Sequence, residues 1–305
     1  ALAGAKQAAE EKGEEDKWLF TLDYPSYGPF VTYADSRDLR EKIWRAFGNR
    51  SYGDDYDNSE IIKTIVRLRD ERAKLLGYDT HANYVLERRM AKSPQGVFEF
   101  LDKLLKAYKP AADQDLKQLQ DFAKEQGFTE ELMPWDVGYY SEKLKQKLFD
   151  YSSEDLRPYF PLENVLNGVF THFTKLFQLS FKKADNIPTW HKDVNAYEVH
   201  SEDTGKFVGV LYADFYPRSG KKQGAWKTSY RDQGLQNGEM KNPLVAIVCN
   251  FTKPTKDTPS LLTFGEVTTL FHEMGHAIHA LLSDVTYSSH AGTSVLWDFV
   301  ELPSQ

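Results

Sequence analysis

The chain has 305 residues, 41% of them hydrophobic and 14% aromatic, which is enough apolar material for one large core or two ordinary ones, so disorder is not the default reading. A net charge of -7 leaves no basic excess to release counterions and argues against nucleic acid as the main partner. The single cysteine, Cys249, excludes an intramolecular disulfide framework and fits a reducing compartment. No run approaches the roughly 20 apolar residues of a membrane span, and residues 1–15 mix small and charged side chains instead of forming an apolar signal core. A cytoplasmic location is favoured on these grounds. A periplasmic or exported one stays open, because an alanine start and an end at Gln305 suggest that the natural termini lie outside this stretch.

Taken in chain order, the acidic run Glu10–Asp16 is expected to be a solvated face. Residues 58–76 place Ile61, Ile65, Leu68 and Leu75 or Leu76 near helical spacing, with Asn58 and Ser59 as caps and Gly77 as a stop. Ser93-Pro94 opens a second helix with Val97, Leu101, Leu104, Leu105 and Tyr108 on one face. Pro110 is expected to interrupt or restart it before Leu116, Leu119, Phe122 and Ala123 continue the pattern to Gly127. Further helices are expected over 136–149 and 162–178. The character then changes to β-branched and aromatic runs at 196–200, 207–216 and 244–251, separated by turns rich in Gly, Lys and Asn. The last of these is nearly continuous in apolar character and is expected to be buried on both faces. The fold class is therefore mainly α with a small β-sheet, α+β, divided into a helical domain over 1–185 and a sheet-plus-helix domain over 186–305.

Thr263 and Glu266 form a capping box ahead of a helix whose apolar positions run from Val267 to Leu282. Inside it lies His272-Glu273-Met274-Gly275-His276. Residues four apart sit one turn apart, so both imidazoles project from one face and can reach a single ion at the 2.0–2.1 Å of a zinc–nitrogen bond. Glu273, rotated by about a quarter turn, lies beside that ion, where a general base is needed. The spacing alone arises by chance often enough that context decides, and unpaired imidazoles on a capped, apolar helix are costly unless something binds them.

A catalytic zinc takes three protein ligands and one open position. The pattern with a third histidine is excluded, because its places hold His279 and Leu282. Asp298 and Glu301, three apart, fit one face of a following helix, with Glu301 as ligand and Asp298 supporting it. His279 is read as a supporting group, since a third ligand from the same helix would strain a tetrahedron.

These residues, with His290-Ala-Gly-Thr293 and Asp298-Phe-Val-Glu-Leu-Pro-Ser-Gln305, resemble the active-site segment of the zinc metallopeptidase family that includes thimet oligopeptidase, oligopeptidase A and bacterial peptidyl-dipeptidase. The interval from His272 to Glu301, 301 minus 272 or 29 positions, is similar to that family's. So are Leu75-Leu-Gly-Tyr78, Pro134-Trp-Asp136, Tyr159-Phe160 and Gly224-Ala-Trp226 upstream. The resemblance implies one Zn2+ ion held by His272, His276 and Glu301, with Glu273 activating water, and short unstructured peptides as substrates. It also implies two helical lobes flanking a deep channel with the zinc helix at its floor. Family members continue past the glutamate ligand into a segment that supplies tyrosine and histidine side chains to the substrate. Loss of one oxyanion donor costs about 100-fold to 1000-fold in turnover.

The function expected is zinc-dependent hydrolysis of oligopeptides, leaning to release of C-terminal dipeptides. Internal cleavage and a zinc-binding but inert fragment are the alternatives; a structural protein with a chance motif is a third. Gly292 and Thr293 are candidate substrate-binding residues on a loop that could also be a plain turn. The run Leu244–Phe251 or its neighbour is a candidate edge for a substrate strand. Cobalt or manganese fits the same donors, neither a nucleic acid nor a membrane is expected as partner, and oligomeric state is open. Cys249 is expected to be an inert core thiol, and Arg218, Lys221 and Lys222 to be solvated in a turn.

Overall fold

The structure, a computed structural model, describes residues 2–305. In chain order come helices α1 (Leu2–Glu10), α2 (Tyr24–Tyr33), α3 (Arg37–Gly48), α4 (Ser59–Leu75), α5 (His81–Leu86), α6 (Pro94–Glu125), α7 (Pro134–Phe149) and α8 (Leu162–Phe177). Strands β1 (Leu179–Lys183), β2 (Val194–Ser201), β3 (Phe207–Asp214), β4 (Trp226–Arg231), β5 (Gly234–Gln236), β6 (Glu239–Lys241) and β7 (Leu244–Val248) follow, and then helix α9 (Phe264–Leu281). The fold is α+β. No helix among the described residues is long and apolar enough to cross a membrane. The chain divides into two compact units, one of 20–22 and 27–151, the other of 1–19, 23–26 and 152–305.

In the helical unit, Leu119, Phe122 and Ala123 of α6 pack with Tyr139 and Tyr140 of α7. Arg37 and Arg40 of α3 each bond the fully buried Asp136 carboxylate at 2.9 Å. Burial raises the pKa of that carboxyl, but the bonds from the two guanidinium groups outweigh it and hold the group below the ordinary carboxylate range. Pro110 does not break α6, which runs through it as one 32-residue helix. Proline removes one backbone donor, and at this exposed position water can serve the freed carbonyl. The stripe of Ile61, Ile65 and Leu68, and that of Leu101, Leu105 and Tyr108, are exposed in this unit.

The second unit is built on a five-stranded sheet in the order β1-β2-β3-β7-β4, with β3 and β7 parallel and the remaining pairs antiparallel. The interior strand β7 is buried on both faces from Val245 to Val248, as its unbroken apolar run requires. The edge strand beside it is β4, so β7 itself has no free edge. Helix α9 packs on one face of the sheet, where Leu270, Met274, Ala277, Ile278 and Leu281 meet Leu211, Val245 and Ile247. Gly209 makes room for this: a Cβ there would lie 2.7 Å from the Pro243 carbonyl oxygen and 3.0 Å from the Leu281 side chain.

Lys221 is not solvated. Its side chain is 3% exposed and its ammonium bonds Asp214 Oδ1 at 2.9 Å together with the carbonyls of Asp214, Tyr216 and Cys249. The buried Asp214 at the end of β3 demands cations, and Arg218 supplies the second at 2.6 Å. Cys249 is buried, and burial pushes its thiol well above the ordinary range, which makes it inert as a nucleophile.

Candidate metal centre

Helix α9 starts as its sequence dictates. Thr263 Oγ1 accepts from the Glu266 amide at 3.1 Å, and Glu266 Oε2 accepts from the Thr263 amide at 2.7 Å. The other Glu266 oxygen accepts from the Thr252 amide at 2.7 Å, which ties the helix start to the chain leaving β7. Two turns further on, His272 and His276 stand on one face with ring centroids 4.8 Å apart and perpendicular planes.

Glu301 reaches this face from a segment far along the chain. Its Oε2 lies 3.1 Å from the Nε2 of each imidazole. One ligating atom from each of the three residues falls within 4.8 Å of the others. Donors at 2.0–2.1 Å from one tetrahedral ion stand about 3.4 Å apart, so the donor set fits a metal of the zinc type with only small movements.

The residues before Glu301 form turns and not the helix expected around Asp298, and a short 3-10 turn, Leu302–Ser304, follows. Pro303 cannot donate an amide to a helix, and the segment folds back onto α9. Gly275 makes that approach possible. A Cβ on it would lie 2.7 Å from Ser304 Cα and 3.0 Å from the Pro303 carbonyl oxygen, so the glycine between the two histidines is what admits the carboxylate-bearing segment. Ser304 then holds Glu301, its hydroxyl donating to the Glu301 carbonyl at 2.7 Å and to Oε2 at 3.3 Å.

Glu273 is buried beside this group, and its Oε2 has no hydrogen-bond partner. Burial, and then the negative charge of Glu301, push its carboxyl up to about 7, while a hydrogen bond from the Lys227 backbone opposes them. Strand β4, which carries Lys227, packs beside α9, which carries Glu273. The Nδ1 atoms of His276 and His279 are also buried without a protein partner. Burial lowers the pKa of both rings, with Glu301 opposing it at His276 and the charge of Lys227 adding to it at His279.

Asp298 is exposed in the turn before Glu301. Gly292, at φ +51°, lies against α9, where a Cβ would meet Ala280 Cα at 2.8 Å. Thr293 Oγ1 accepts from Lys227 Nζ at 2.7 Å. Lys227 itself escaped the sequence reading because 226–231 read as part of a Lys-rich turn. The alternation of Trp226, Thr228 and Tyr230 with Lys227 and Ser229 was the signal that could have found the strand.

The sequence matches the profile of Peptidase family M3 over residues 30–305. The chain belongs to this family. Among M3 relatives it is 41% identical to oligopeptidase A of Salmonella typhimurium and to oligopeptidase A of Escherichia coli, in each case over 312 residues that cover 100% of this chain and 46% of the relative. It is also 35% identical over 306 residues to dipeptidyl carboxypeptidase of Escherichia coli, covering 100% of this chain and 44% of that one. The chain thus spans less than half the length of these M3 relatives.

Proposed function

We propose that this chain carries the metal-binding part of a zinc-dependent peptidase that hydrolyses short oligopeptides, with His272, His276 and Glu301 as ligands of one Zn2+ ion. The convergence of these three side chains on one point, with an unpartnered carboxylate oxygen of Glu273 beside them, is the observation that carries the reading. A bound zinc ion would supply Lewis-acid polarisation of the scissile carbonyl and a more acidic water. Glu273 would take the proton from that water and return it to the leaving amine, and its buried, unpartnered Oε2 is available for both halves of the task. β4 is an edge strand beside α9, and an extended peptide added to it would run close to Glu273. His279, one turn beyond His276 with its Nδ1 buried, supports the site without binding the ion, and Thr293 helps to shape its border.

The relatives' names include both an oligopeptidase and a dipeptidyl carboxypeptidase, and internal cleavage and dipeptide release are both compatible with these residues. The test is incubation of the purified chain with a mixture of short peptides, with and without a chelator, followed by mass spectrometry. Chelator-sensitive cleavage is expected, and product masses separate the two modes. Zinc bound at one equivalent with no peptide cut would favour the inert-fragment reading instead.

A further inference from the structure

Lys227 is the unusual cation of this unit. It sits on the edge strand β4, opposite Ile247, on the sheet face that α9 covers. Its ammonium is half-buried and donates to two neutral oxygens, Thr293 Oγ1 at 2.7 Å and Ser229 Oγ at 3.3 Å. Among the described residues no carboxylate lies within 4.0 Å of it; the acidic groups that influence it, Asp232 and Glu273, act from further away. Lys221 shows how this protein compensates a buried lysine elsewhere, with a carboxylate and three carbonyls around one ammonium. An ammonium has three donors, so Lys227 keeps one unused, and a desolvated cation without a counter-charge is costly.

We propose that the Lys227 ammonium, with the hydroxyls of Ser229 and Thr293 around it, is a subsite for a peptide carboxylate next to the metal centre. The proposal rests on the peptidase reading above and names the substrate chemistry of that same site. Strand β4 packs beside α9, and the Lys227 side chain lies on the face that α9 covers, within electrostatic range of Glu273, so it stands beside the position where the bond is cut. Two extended residues span about 7 Å, a distance comparable to that reach, so the carboxylate belongs within about two residues of the scissile bond. If it is the chain terminus, the product is a dipeptide. If it is an aspartate or glutamate side chain, cleavage is internal and selective for acidic neighbours.

The test uses the full chain loaded with zinc and carrying Glu273→Gln to prevent turnover. Binding of a labelled pentapeptide as free acid, as C-terminal amide, and as amide with one internal glutamate is followed by fluorescence anisotropy. A preference of about tenfold for one carboxylate-bearing peptide over the plain amide is expected, equivalent to about 1.4 kcal/mol and typical of a charge-assisted hydrogen bond. Which peptide gains it identifies the source of the carboxylate. Lys227→Met should abolish the preference while leaving affinity for the amide unchanged, and Lys227→Arg should keep part of it. No preference in the parent protein, or one that survives Lys227→Met, overturns the proposal while leaving the peptidase reading intact. A second measurement needs no variant that folds. Acylation of Lys227 is followed by peptide mapping in the presence of N-acetylglycine or its amide; protection by the acid alone is expected, and equal labelling overturns the proposal.

Discussion

Gly275→Ala tests a contact that admits Glu301 to the proposed metal centre without touching a ligand. The added Cβ would meet Ser304 Cα at 2.7 Å and the Pro303 oxygen at 3.0 Å, against the 3.5–4.0 Å of an ordinary carbon contact. The segment from Glu301 to Ser304 must therefore retreat by about 1 Å. Overpacking of this kind costs about 1–3 kcal/mol, but alanine in place of glycine inside a helix returns about 1 kcal/mol, so net stability should fall by no more than about 2 kcal/mol. The carboxylate moves with the segment, and disturbing the support of a ligand typically weakens metal affinity about 10-fold to 100-fold. Zinc affinity measured by competition with a chromophoric chelator should drop in that range, while the unfolding midpoint of the chelated protein changes by only a few degrees. An unchanged zinc affinity would refute the argument that Gly275 admits Glu301 to the site.

Other outcomes follow from contacts already described. Glu273→Gln should retain one zinc per chain and lose about 100-fold to 10,000-fold in peptide cleavage; near-normal turnover would remove Glu273 from the mechanism. Asp214 is held at about 2, where burial is outweighed by bonds from Arg218, Lys221 and Trp190. A depressed folded-state pKa means stability that is fully present above the unfolded value near 4 and lost as pH falls through about 2, here about 2 kcal/mol. Asp214→Asn should cost about 3–5 kcal/mol near neutral pH by leaving Lys221 buried with its charge, and the gap between parent and variant in urea unfolding should narrow by about 2 kcal/mol from pH 4 to 2. A gap independent of pH would contradict this. Thr263→Ala, which removes the side-chain cap on the Glu266 amide, should cost about 1 kcal/mol in the same assay with zinc affinity unaltered, since the cap lies two turns from the histidines.

Much of this architecture is local and was legible. The start of α9 is written in Thr263 and Glu266, the buried strand in Leu244–Val248, and the shared face of His272 and His276 in their spacing, because capping, burial and helical period act over a few residues. What could not be read depends on distant partners. Lys221 lies in a Gly- and Lys-rich turn and reads as solvated, yet it is drawn inward by Asp214 seven positions earlier. Pro110 carries a local signal to stop that a long exposed helix overrides. The stripes on α4 and α6 read correctly as helical, but periodicity does not say what covers a face, and Ile61, Leu68, Leu101 and Leu105 are exposed in the helical unit. Glu301 was reachable from spacing, whereas its mode of arrival, turns laid onto a helix glycine, was not.

The wide separation of the ligands gives the site a further role in the mechanics of the chain. His276 and Glu301 are 25 residues apart, and an ion joining them would act as a removable cross-link across the stretch that carries the Thr293 contact and the exposed turns before Glu301. Closing a loop of that length is worth about 3 kcal/mol on the chain-entropy account. On the proposed reading, occupancy of the centre would also govern the tethering of 283–300, and without the ion this stretch would be looser and more open to degradation.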